Sequence, residues 1–88
     1  SLDPLAPDDT AALIEYRLLA AGRENRMPPL FLPDSILPIW RETRGYPRSI
    51  CLLCLHLCLE LLATGGAHID GAFVDRFLET HSGYRQAE

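Results

Sequence analysis

Apolar positions recur along this chain with the period of helices, and no stretch of useful length alternates as a strand would. The first segment opens at "PDDT", where Asp8 or Asp9 is placed to cap. It carries Ala12, Leu13, Tyr16 and Leu19 or Ala20 at helical spacing and stops at Gly22, expected to be left-handed. Pro28 and Pro29 block helix in the loop that follows. A second helix is predicted from Pro33, a first-turn proline, to Arg44, with Ile36, Leu37, Ile39 and Trp40 buried. Pro38 has no N–H to offer the carbonyl of Asp34, which predicts a kink or a loose first turn.

The third helix is predicted to start at Pro47 and to end at "TGG". His56 and Glu60, four residues apart, share one narrow outer stripe, and nearly everything else is apolar. This helix is therefore expected to be central, with neighbours on most sides. The fourth opens at Asp70 as N-cap, buries Phe73, Val74, Phe77 and Leu78, and has Gly83 near its end. "AHI" extends briefly at most. The pattern predicts an all-α fold, a small four-helix bundle with short connections.

Eighty-eight residues make one small domain, apolar enough for a core without metal or disulfide staples. The net charge of -4 excludes the basic footprint of a free-standing nucleic-acid binder. All eight basic residues are arginines, which reflects genomic composition or a surface built for planar anion contacts. The N-terminus "SLDPLAPDD" is acidic and Pro-rich, unlike a signal peptide. The apolar run Ile50 to Ala63 falls short of the roughly 20 residues that cross a bilayer, and His56 and Glu60 interrupt it, so it reads as a buried helix without membrane insertion. Three cysteines cannot form a disulfide framework and point to a reducing compartment. A cytoplasmic location is expected.

The series "CLLCLHLC" sets Cys51, Cys54 and Cys58 on one helical face. Metal sites usually draw closely spaced cysteines from a turn that lets thiolates converge; here leucines separate them in a continuous helix, and a fourth ligand is missing. They read as small core hydrophobes, and no metal site is expected. His56 and Glu60 read as an exposed pair, His68 and His81 as helix-end residues, and Asp8, Asp9 and Asp70 as caps. No carboxylates pair in a way that suggests acid–base chemistry, and neither G-x-x-x-x-G-K-[ST] nor G-x-G-x-x-G is present.

Arg48 is the residue out of place. A helix N-terminus carries partial positive charge, and an arginine in its first turn opposes the dipole. One reading makes Arg48 a surface charge paired with a local carboxylate. In the other, Gly45 allows a sharp turn, Pro47 fixes the first helical residue, and Arg48 and the free N–H groups converge on an anion supplied from elsewhere.

"GYPRSICLLC" resembles the G-x-P-R-x-I-x-x-L-C segment of the C-terminal lid of ExeA-like AAA+ ATPases, P-loop proteins linked to general secretion and close to the helper ATPases of transposition. "LDPLAPDDTAALIEYRLLAAG", "PLFLPDSILPIW" and "AHIDGAFVDRFL" resemble further lid segments in order, so the likeness runs from Leu2 to about Leu78. The chain departs from the family's habits at Leu13, Asp9, Ser49, Cys51 and Leu55, the last two making the third helix more apolar. The resemblance implies an AAA+ lid-type bundle at residues 8–81, after a linker (1–7) from a missing ATPase core and before a tail (82–88). It implies that Gly45, Tyr46, Pro47 and Arg48 lie near a nucleotide, with Arg48 as the sensor-2 arginine reaching the phosphates of ATP and Mg held by the core. The fragment alone should bind no cofactor and hydrolyse no ATP. Implied partners are its own N-terminal ATPase core, further copies of the parent in a homo-oligomer, and secretion-machinery proteins or DNA. Two other readings stay open: the lid of a DNA-transposition helper, and a helical interaction module with no nucleotide link.

Overall fold

Helix α1 spans Pro7–Ala20, α2 Ile36–Thr43, α3 Pro47–Thr64 and α4 Gly71–Thr80, and a 3-10 turn, Pro33–Ser35, leads into α2. These come from a computed structural model that describes residues 3–22 and 28–81. The fold is all-α, a small four-helix bundle. Among the described residues the only β-pairing is one parallel bridge between Phe31 and Ile69, so "AHI" does extend briefly. Gly83 and the tail 82–88 lie outside the described residues.

Proline and glycine set most of the boundaries. Pro7 and Pro47 occupy first-turn positions of α1 and α3, where the missing N–H would lack a helical partner in any case. Pro33 does the same for the 3-10 turn. That turn is the loose start expected from Pro38: the regular helix begins only at Ile36. Gly22 and Gly65 follow α1 and α3 with left-handed backbones. Asp70 caps α4, its Oδ1 accepting from the Phe73 N–H at 2.8 Å.

The core joins Ile39 of α2, Ile50, Leu53 and Leu57 of α3, Ile69, and Val74 of α4, all fully buried. Helices α2 and α3 each pack against the other three, α4 meeting α2 more extensively than α3. Gly71 allows α4 to start close against the 3-10 turn: a Cβ there would lie 2.8 Å from the Asp34 carbonyl oxygen. Asp34 Oδ1 in turn accepts from the Gly71 N–H at 3.1 Å.

Several sequence expectations are corrected. Ala6 occupies the N-cap of α1 without a side-chain bond, so Asp8 and Asp9 are first-turn acids facing the dipole and not caps. The buried face of α1 is Thr10 and Ile14; Ala12, Tyr16 and Leu19 are exposed. Thr10 can be buried because its hydroxyl donates to the Ala6 carbonyl at 3.0 Å. Leu37 of α2 is exposed as well, the buried positions there being Ile39 and Thr43.

The largest correction concerns α3. It buries one stripe, Ile50, Leu53, Leu57 and Leu61, and is not surrounded. His56 and Glu60 are half-buried, and the outermost stripe is instead leucine. With 18 residues and mean hydropathy 1.4, α3 is long and apolar enough to cross a membrane by length and composition alone, yet its buried stripe is committed to the bundle.

Candidate functional site

The turn between α2 and α3 carries Gly45, Tyr46, Pro47 and Arg48, and its geometry is over-determined. Arg44 ends α2 in the left-handed region (φ 56) and Gly45 continues it (φ 82). Two consecutive left-handed residues reverse the chain sharply, which only glycine tolerates without strain. Tyr46 is extended (ψ 123), the conformation a following proline imposes. Pro47 then starts α3, and Ile50, wholly buried, anchors its first turn.

Buried Thr43 holds the turn from inside. Its hydroxyl donates to the Ile39 carbonyl at 2.8 Å, and its oxygen accepts from the Gly45 N–H at 3.4 Å. The Tyr46 N–H donates to the Thr43 carbonyl at 3.1 Å. A strap holds it from outside. Leu5 donates its N–H to the Gly45 carbonyl at 2.7 Å, and its own carbonyl accepts from Trp40 Nε1 at 2.7 Å. The strap crosses so closely that a Cβ on Gly45 would overlap the Leu5 carbonyl oxygen. Residues 3–6, read from sequence as linker, are thus docked on the turn by Leu5.

Arg48 emerges from this frame in the first turn of α3, exposed. Among the described residues no carboxylate pairs with its guanidinium. The N-cap Tyr46 offers no side-chain acceptor, so the first-turn amides stand uncapped at the same helix end that carries Arg48. The structure therefore brings Gly45, Tyr46, Pro47 and Arg48 into one rigid corner. Leu5, Trp40 and Thr43 support it and were missed in sequence. The one signal was the indole N–H of Trp40, which needs an acceptor when half-buried.

The cysteines lie elsewhere. Cys51, Cys54 and Cys58 are half-buried between α1 and α3, lining a groove of about 210 Å³ with Leu13, Ile14 and Leu18. Burial, and then Cys58 and Cys51, push the Cys54 thiol far above its usual range. Among the described residues no three His, Cys, Asp or Glu side chains are grouped to hold a metal ion.

A scan of family models and searches of curated proteins and solved structures find no match to this chain.

The remaining candidates divide by role. His81 closes α4 as expected of a helix-end residue: Nδ1 lies 2.9 Å from the Phe77 carbonyl, and the ring stacks on Phe77 at 4.2 Å. His68 does not act at a helix end. Its Nδ1 donates to the Pro29 carbonyl at 3.1 Å, joining the two segments that the Phe31–Ile69 bridge joins. A larger groove of about 490 Å³ runs between α1 and residues 29–37 and is lined mainly by Ile14, Leu18, Leu30 and Ile36. No charged group is buried in its wall, so it offers shape and apolar surface without chemistry.

Proposed function

We propose that this chain is the C-terminal lid of an ExeA-like AAA+ ATPase, and that Arg48 is its sensor-2-like arginine. The observation that carries the reading is Arg48 itself: exposed, without a carboxylate among the described residues, and held at a rigid helix start whose dipole it opposes. A permanently charged planar fork suits phosphoryl oxygens, and charge stabilisation is most of what phosphoryl transfer requires of a protein. Gly45, Tyr46 and Pro47 fix the backbone from which that fork projects, and the Leu5 strap ties this turn to the chain that enters the lid. ATP and Mg belong to the core of the parent, whose P-loop supplies the backbone cradle and the metal ligands.

In this reading the parent is a cytoplasmic ATPase of secretion, and the lid works on its own core and in its homo-oligomer. A transposition helper acting on DNA would use the same arginine in the same way. A nucleotide-independent interaction module is favoured by one separate observation, the exposed leucines of α3.

Calorimetry tests the lid assignment. The 88-residue chain should bind ATP·Mg at most very weakly and hydrolyse none, because cradle and metal ligands lie outside it. Tight binding would overturn the lid assignment. So would a full-length parent in which no G-x-x-x-x-G-K-[ST] loop follows a strand upstream.

A further inference from the structure

Helix α3 turns a second stripe to solvent. Leu52, Leu55, Leu59 and Leu62 are 48, 54, 55 and 80% exposed. Their spacing of three, four and three residues is that of a two-helix seam, where apolar knobs repeat every three or four positions. Arg48, four residues before Leu52, heads the same stripe and is its only charge.

We propose that this stripe is the contact of an antiparallel homodimer, α3 against the α3 of a second copy. Two features select a second copy and its direction. The seam itself is neutral, so pairing it with an identical seam buries no like charges. The helix ends are unequal: α3 has no acid in its first turn and no base in its last, while Arg48 stands at the end whose dipole it opposes. Parallel pairing would bring two arginines and two positive helix ends together. Antiparallel pairing, with Leu55 against Leu59 of the other copy and Leu52 against Leu62, carries each Arg48 past the other seam to the Thr64–Gly66 end of the opposite helix. There the last carbonyls carry partial negative charge and lack a cation of their own. Each misplaced arginine is thus answered by the other copy. The dimer rests on α3 alone and does not depend on the ATPase reading.

The seam is one helix wide, smaller than the roughly 800 Å² per copy of a standard interface, so dissociation constants on the order of 10–100 µM are expected. Sedimentation equilibrium of the 88-residue chain over about 1–500 µM tests the proposal across that range. The expected result is a monomer–dimer equilibrium that Leu59→Glu abolishes with the helical circular dichroism unchanged. Should Leu59→Glu fail to fold, Leu62→Ser, at the most exposed position, should still weaken the dimer about tenfold. Arg48→Glu fixes the direction: it weakens an antiparallel pair and tightens a parallel one. A monomer at every concentration, a dimer indifferent to Leu59→Glu and Leu62→Ser, or tightening by Arg48→Glu would overturn the proposal. So would a monomer that cosediments with phosphatidylcholine–phosphatidylglycerol vesicles through Leu62, since the stripe would then be a lipid-facing surface.

Discussion

Arg44 and Gly45 share a left-handed backbone, but only one of them belongs there by chemistry. Arg44 is exposed and accepts the strain that a Cβ brings at positive φ. Arg44→Gly should therefore stabilise the fold by about 1 kcal/mol, read as a higher urea midpoint with unchanged slope. Gly45→Ala should do the opposite and lose about 2–4 kcal/mol, because the new methyl displaces the Leu5 strap as well as straining the turn. A Gly45→Ala protein as stable as the wild type would mean that the strap does not hold this corner. In sequence, glycine before Tyr-Pro-Arg announced the turn; nothing announced that Leu5, forty residues away, closes it. Backbone-to-backbone bonds between distant segments leave no residue-type signal.

At the scale of elements, the helix boundaries were legible because prolines, glycines and the Asp70 cap act locally. The buried faces were less so. Thr10 reads as polar yet is buried once its hydroxyl returns to the Ala6 carbonyl, and this turns Tyr16, 67% exposed, and Leu19 away from the core. In α3, where almost every residue is apolar, the pattern could not say which stripe faces inward. The cysteines fall on the flank facing α1, and Cys54 yields a pH prediction. Burial, and then Cys58 and Cys51, keep its thiol protonated in the folded chain well above its ordinary value of 9.0, so the unfolded chain releases a proton that the native chain keeps. The stability due to the neutral thiol is fully present below pH 9.0 and declines above it. Thermal midpoints of the wild type, taken relative to Cys54→Ala, should hold level from neutral pH to that point and fall beyond it. Parallel curves for the two proteins would contradict the assignment. Labelling of Cys54 by iodoacetamide should likewise be slow in the native state and fast in urea, since the thiolate is the reactive species.

On the scale of the whole molecule, two unanswered features share the exposed stripe of α3: a first-turn arginine and the leucines that follow it. Sequence alone exposed the arginine's misfit with the helix dipole, and the resemblance to an ATPase lid supplied an anion to resolve it. The rigidity of the corner became visible only in three dimensions, through Thr43 and Leu5. The most direct test of the proposed lid role is ATP turnover by the ATPase that would carry this lid, with Arg48→Ala introduced, measured beside its thermal midpoint. Turnover should fall by a factor of roughly 10³ or more, with partial recovery in Arg48→Lys and little change in the control Arg41→Ala. The midpoint should hold or rise slightly, because removing Arg48 relieves about 0.3–1 kcal/mol of repulsion with the helix end. Unchanged turnover together with a midpoint lowered by several degrees would make Arg48 a structural residue and contradict the account.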